Sequence, residues 1–163
     1  EKLRTGRTDL IITTDLSGPG LYQQQLFEDS YVTLVGRTNP LVKESLRLEQ
    51  FCQIPHVLFS LEGKGSSNVD IALAKHSAKR NIVLRVPHVS VIPQVLEQNH
   101  YLATLPARLA TAYMQRYDLK IFQPPVDLAP FTVYQYWHAR QHHDPACAWL
   151  RSQLKEQVFA ISE

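Results

Sequence analysis

Apolar residues along this chain come in short runs separated by proline, glycine and polar loops, and the runs alternate between two periods. Asp9 to Thr13 is a short apolar run after Gly6 that predicts a buried strand, with Thr14 to Gly20 as the loop at its carboxyl end. Leu26 to Val35 predicts a longer strand, stopped by Asn39-Pro40. Ser45 to Phe51 predicts a short helix, and Pro55 to Ser60 holds a buried strand, His56-Val57-Leu58-Phe59. The loop Glu62 to Asn68 ends in serines and an asparagine, good caps for a helix over Val69 to Lys79. Asn81 to Val86 is the next strand, broken by Pro87-His88. Val89 to Gln98 then reads as a helix with Pro93 in its first turn. Tyr101 to Leu105 is a strand ended by Pro106, Ala107 to Tyr117 a helix, and Lys120 to Phe122 a strand before the stiff Pro124-Pro125. Phe131 to His138 has the aromatic and β-branched make-up of a strand. Asp144-Pro145 then starts a helix that sets Leu150, Leu154 and Val158 four apart on one face, with Cys147, Phe159 and Ile161 near it.

Strands and helices that alternate in this way predict an α/β protein with a parallel or mixed sheet and helices on both faces. The two proline breaks divide the chain into three pieces. The middle piece, 41–122, has strand–helix repeats enough for a lobe of its own, whereas 1–38 and 126–163 each supply strands but too few helices. Those two pieces are therefore expected to combine into a second lobe, joined to the first by two crossings, the pattern of a hinged cleft.

At 163 residues, 44% hydrophobic and 20% charged, the composition is that of an ordinary globular domain. The net charge of +2 and the absence of any dense like-charged run argue against a nucleic-acid footprint on this chain alone. Arg4 and Arg7, then Lys75, Lys79 and Arg80, read as small basic groups on a solvated surface. Cys52 and Cys147 fit no metal spacing and read as reduced packing residues. No apolar run approaches the roughly 18 residues of a membrane span, and no signal peptide is visible, so a cytoplasmic protein without membrane partners is expected. Glu1 to Gly6 reads as the tail of a helix running into a turn, as if the sequence begins inside a larger protein.

Candidate chemistry is sparse. His138 and His142, four apart, with His143-Asp144 beyond, admit either a zinc site or polar caps at the start of the last helix; they cross a strand end and a turn, which favours caps. His88 follows a strand end and precedes a helix, with Ser90 two positions on. It can donate to a carboxylate or phenolate there, or simply close the strand end as a satisfied histidine. Ser66, Ser67 and Asn68 are helix caps by default and can also face a ligand. Thr13 and Thr14 extend a hydroxyl-rich rim, and Phe59 with Ser60 ends a neighbouring strand. No G-x-S-x-G elbow, no G-x-G-x-x-G and no Walker spacing around Gly63-Lys64-Gly65 is present, so no nucleophile–base pair is spelled out and an enzyme is not expected.

Several of these segments also share wording with a known family. Leu3 with Gly6-Arg7-Thr8-Asp9-Leu10-Ile11-Ile12, Leu26-Phe27-Glu28-Asp29 through Asn39-Pro40-Leu41, and Arg85-Val86-Pro87-His88 to Pro93 stand in order. Leu102 to Ala110 and the terminal Trp137-His138, Asp144-Pro145 and Trp149-Leu150-Arg151 follow them. Together they resemble the effector-binding domain of LysR-type transcriptional regulators, in the subgroup of nodulation and aromatic-degradation activators. Asn39 and Val89 replace a histidine and a phenylalanine common there. The resemblance implies a periplasmic-binding-protein type 2 fold, two α/β lobes joined by two crossing strands, with the opening part of the first lobe outside this sequence. It implies a small organic effector, a carboxylate or phenolic aromatic, contacted by Thr14, Phe59, Ser66, Ser67, His88, Ser90, Thr132 and Tyr134. It further implies no cofactor, a homodimer or homotetramer, and DNA binding only through an N-terminal winged helix-turn-helix absent here. The rival readings are a transporter's solute-binding protein, opposed by the lack of a signal peptide and by the cysteine usage, and an enzyme of the same fold.

Overall fold

A computed structural model describes residues 1–60 and 67–160, with backbone alone at 159–160. It forms two compact units: 1–29 with 130–163, and 30–129.

The first unit contains α1 (Lys2–Thr5), β1 (Ile11–Thr13), β2 (Leu21–Asp29), β8 (Phe131–His138) and α6 (Pro145–Ala160). The second contains β3 (Tyr31–Gly36), α2 (Leu48–Gln53), β4 (Pro55–Phe59), α3 (Asn68–Ala74), β5 (Asn81–Val86), α4 (Ile92–Gln98), β6 (Leu102–Pro106), α5 (Ala107–Met114) and β7 (Leu119–Phe122).

In the first unit β8 is the central strand, antiparallel to β1 on one side and β2 on the other. Side chains alternate across it. Val133, Gln135 and Trp137 share the face that meets α6: Gln135 Nε2 donates to the Arg151 carbonyl, and the Arg151 guanidinium lies 4.4 Å from the Trp137 ring centroid. α6 starts where the sequence indicates, because Asp144 Oδ1 accepts the Cys147 N–H at 2.8 Å. Its inner face differs from expectation. Leu150 is exposed, and Arg151 is the buried residue, with its guanidinium donating to the carbonyls of Gln141 and His142. A guanidinium can be buried at this position because an aromatic face and two carbonyls satisfy it. Ile161, expected on the same helix, lies outside the described residues.

The second unit has a five-stranded sheet in the order β5-β4-β6-β3-β7. β4 runs parallel to both β5 and β6, and β3 is antiparallel to β6 and β7. The expected strand Leu26–Val35 is therefore two strands divided at Ser30. β2 pairs with β8 in one sheet, while β3 is an almost fully buried strand in the other. The predicted boundary after residue 38 shifts with it to 29/30. The far boundary shifts as well: Val126, assigned by sequence to the first lobe, is buried in the second unit's core with Phe51.

Three expected helices prove shorter. The one predicted over Ser45–Phe51 is α2, where the Arg47 N–H donates to Gln50 Oε1 at the start. α3 stops at Ala74 because Ser77 adopts a left-handed φ of 52°. The Ala78 N–H returns to the Leu73 carbonyl and the Ser77 N–H to that of Ala74, the Schellman closure. α5 ends at Met114. The segment Val89–Gln98 opens with a 3₁₀ turn, Val89–Val91, before α4, and Pro93 does sit in the helix's first turn.

Gly36 ends β3 against the backbone of α4. A Cβ there would collide with the Leu96 carbonyl oxygen, which belongs to a helix and cannot rotate aside. Gly36→Ala is expected to cost about 1–3 kcal/mol, in the range of an overpacked core, read as a lowered midpoint in urea at an unchanged slope.

Candidate functional site

The parallel pairing of β4 with β5 and β6 brings the carboxyl ends of these strands to one edge of the second unit's sheet. Phe59 pairs with Val86, the Ser60 N–H donates to the Val86 carbonyl at 2.9 Å, and Pro106 ends β6 opposite Tyr31, the first residue of β3. Open α/β sheets bind ligands at this edge. A cavity of about 250 Å³ opens here. Its walls are apolar at Leu58, Phe59, Val69, Leu105 and Pro106, and Tyr31, Ser67, Asn68, Arg80 and Thr104 supply polar groups. Phe59 is 40% exposed, large for an aromatic ring at a strand end.

A chain of hydrogen bonds fixes the polar side. Ser67 caps α3: its N–H donates to Asp70 Oδ2 at 2.9 Å, and the Asp70 N–H returns to Ser67 Oγ at 3.4 Å. Arg80 reaches back from the start of β5 and clamps both residues. Its Nε donates to Asp70 Oδ1 at 2.7 Å, and its Nη2 to Asp70 Oδ2 at 3.1 Å and to Ser67 Oγ at 2.7 Å. Burial pushes the Asp70 carboxyl up, but the hydrogen bonds from Arg80 and Ser67 and the arginine's charge outweigh it. The group is held below the usual carboxylate range. Beside this network the Asn68 amide donates to the Tyr31 hydroxyl at 3.0 Å, and Thr104 Oγ1 pairs with Thr33 Oγ1 at 3.2 Å.

Among the residues expected from sequence, Phe59 and Ser67 meet in this cavity. Ser66 lies outside the described residues. His88 and Ser90 are exposed, just beyond the end of β5 and so at the same sheet edge, but they do not line the cavity. His88 begins the 3₁₀ turn without a side-chain cap bond. Thr14, Thr132 and Tyr134 belong to the first unit. Thr14 is exposed in the bend after β1, Thr132 pairs with Glu28, and Tyr134 sits between Thr13 and Gln25. Thr132 and Tyr134 occupy the sheet face opposite the one that meets α6.

Sequence reasoning missed Tyr31, Thr104 and above all Arg80, which it placed on a solvated surface. The Arg80 side chain is 2% exposed. One local signal was available: Ser67-Asn68-Val69-Asp70 is a capping box, which sets a carboxylate at the start of α3. The terminal histidines serve structure. Trp137 Nε1 donates to His142 Nδ1 at 3.2 Å, and the His142 ring stacks on Tyr22 with centroids 4.1 Å apart. Among the described residues no group of three or more His, Cys, Asp or Glu side chains could hold a metal, and no helix is long and apolar enough to cross a membrane.

The first unit has a cavity of about 260 Å³ lined by Leu3, Ile11, Leu16, Pro19 and Leu21 with His138. Its charged members, Glu1, Lys2 and Arg4, are exposed, and none of the residues expected from sequence lines it.

The profile of the LysR substrate binding domain matches residues 1–158. The HTH-type transcriptional activator NahR of Pseudomonas putida is 35% identical over 140 residues, 86% of this chain and 46% of that protein. The chain spans about half the length of the curated relatives it matches. Among solved structures, the probable transcriptional regulator PA0477 from Pseudomonas aeruginosa superposes with a TM-score of 0.84 at 26% identity, covering 95% of this chain and 51% of that one. The regulatory domain of MexT, a transcriptional activator of the same organism, gives 0.81 at 28% identity, covering 95% and 75%.

Proposed function

The chain belongs to the LysR substrate-binding domain family, with the type 2 periplasmic-binding-protein-like fold of its structural neighbours, and from that premise we propose that it senses an aromatic carboxylate or phenol for a transcriptional regulator. The observation that carries the ligand class is the second unit's cavity, where an exposed phenylalanine ring faces a rim of bonded polar groups at the carboxyl edge of the sheet. Its volume suits one substituted ring; an apolar cavity of about 150 Å³ already holds benzene. His88 and Ser90 at the same edge are the further contact candidates on this unit.

Binding rather than catalysis is the activity in this reading, in a cytoplasmic protein that works without a cofactor or membrane partner. An effector with different affinities for two conformations shifts their populations by that difference. DNA is contacted by an N-terminal helix-turn-helix segment of the intact regulator, which acts as a homodimer or homotetramer on paired half-sites. NahR and NagR are named as HTH-type transcriptional activators, which supports that assignment.

Calorimetric titration of benzoate into the intact protein tests the ligand class. Phe59→Ala is expected to weaken binding by about 1 kcal/mol, the worth of a ring–ring contact, with the melting temperature of the unliganded protein little changed. An affinity unaltered by Phe59→Ala and His88→Ala alike would remove the second unit's sheet edge from the site.

A further inference from the structure

Resting on the reading that the second unit's cavity is the effector site, we infer that Arg80 sets which ligand oxygen the cavity accepts, through the edge of its guanidinium that the fold leaves uncommitted. A guanidinium carries five N–H bonds. Nε donates to Asp70, and Nη2 donates to both Asp70 and Ser67, so that edge is committed to holding the cap of α3. Nη1 has no hydrogen-bond partner among the described residues. Among the described residues, the partnerless side-chain atoms sealed off from solvent are Asn39 Nδ2, His56 Nδ1 and Gln135 Oε1. Arg80 Nη1 is not one of them, and Arg80, its side chain 2% exposed, is a lining residue of the cavity.

Ser67 offers much less. Its hydroxyl donates to Asp70 Oδ2 at 3.0 Å and accepts from Arg80 Nη2, so a ligand taking it would have to break the cap. The donor that costs the fold nothing is Nη1. It suits a carboxylate or carbonyl oxygen attached to a ring packed against Phe59. Asp70 offsets the arginine's charge, so the wild-type cavity selects an acceptor oxygen by geometry and discriminates only weakly between an anion and its neutral amide. Removing the Asp70 charge turns the same donor into an anion selector. Lysine at position 80 would direct its point charge to Asp70 and present no second edge.

Benzoate and its neutral isostere benzamide, titrated calorimetrically near neutral pH into the intact wild type, Asp70→Asn, Arg80→Lys and Phe59→Ala proteins, test this, with circular dichroism and melts as folding controls. The expected result is comparable affinity for the two probes in wild type. Arg80→Lys should lose roughly tenfold or more for both, and Asp70→Asn should raise the benzoate-to-benzamide preference roughly tenfold, the scale of a hydrogen bond to a charged group. If Arg80→Lys does not fold, the preference ratio of Asp70→Asn decides alone. Wild-type affinities and ratio in Arg80→Lys and Asp70→Asn, alongside weakened binding in Phe59→Ala, overturn the role of Arg80 and leave the cavity assignment standing. No binding of either probe to wild type overturns the cavity assignment and this inference with it.

Discussion

Phe51→Ala is expected to lower the unfolding free energy by about 3–5 kcal/mol, the range for emptying a fully buried phenylalanine site. Phe51 has no exposed surface and packs in the cluster that joins Val35, Ile54, Val69, Leu73, Leu102 and Val126. Those residues come from both strands and helices of the second unit, so the vacated volume cannot close by one element settling. Val69 also lines the second unit's cavity, so the wall should loosen together with the core. Urea denaturation of the variant checks the magnitude, with Phe51→Leu as the milder control. A loss under about 1 kcal/mol would mean that the cluster relaxes around the missing ring, as the most compliant cores do.

The sequence was legible wherever a local rule sufficed. β8 occupies the predicted residues Phe131–His138, since β-branched and aromatic alternation is a property of the strand itself. The start of α6 followed from Asp144-Pro145, because a cap acts within one turn. Ends and partners that depend on distant groups were not legible. The run from Leu26 to Val35 has strand-forming residues at both ends, so the polar Glu28-Asp29-Ser30 between them did not mark a change of sheet, and each half finds its partner about 70 to 110 residues away. Leu150 fits a four-residue stripe, yet Arg151 is the side chain that the Trp137 ring and two carbonyls draw inward.

The candidate site divides along the same line. Phe59 and Ser67 were found because strand ends and helix caps are local features. Arg80 was missed because its burial depends on Asp70 and Ser67, ten and thirteen residues earlier, and a lone basic residue in a sequence defaults to the surface. Tyr31 enters through its pairing with Pro106 across β3 and β6, which no window of sequence contains.

Acid should destabilise the second unit before its carboxylates titrate, and His56 is the cause. The residue sits in β4 with no exposed surface; its ring lies 4.5 Å from that of Phe51 in an edge-on contact, and Nε2 donates to the Phe51 carbonyl at 2.7 Å. A carbonyl only accepts, so the proton is on Nε2, and Nδ1 is left buried without a partner. Burial drives the imidazole down from 6.5 to about 4; the Phe51 carbonyl opposes this, the Arg80 charge adds to it and Asp70 opposes. The folded form thus resists a proton that the unfolded chain takes up near 6.5. Stability is unaffected by this group above that pH, falls between 6.5 and about 4, and levels off below, for a total of about 3 kcal/mol. His56→Gln, which keeps an N–H for the Phe51 carbonyl, should flatten the slope in that window while leaving the carboxylate-driven loss at lower pH. Phe51→Ala should bring the His56 titration back toward its ordinary value, because water entering the vacated site would solvate the charged ring. Urea midpoints from pH 7 to pH 4 for the three proteins, with the His56 ring followed by NMR, make the check. A wild-type slope equal to that of His56→Gln, or a ring titrating near 6.5 in the folded protein, would show that the imidazole is solvated and bears none of the acid sensitivity.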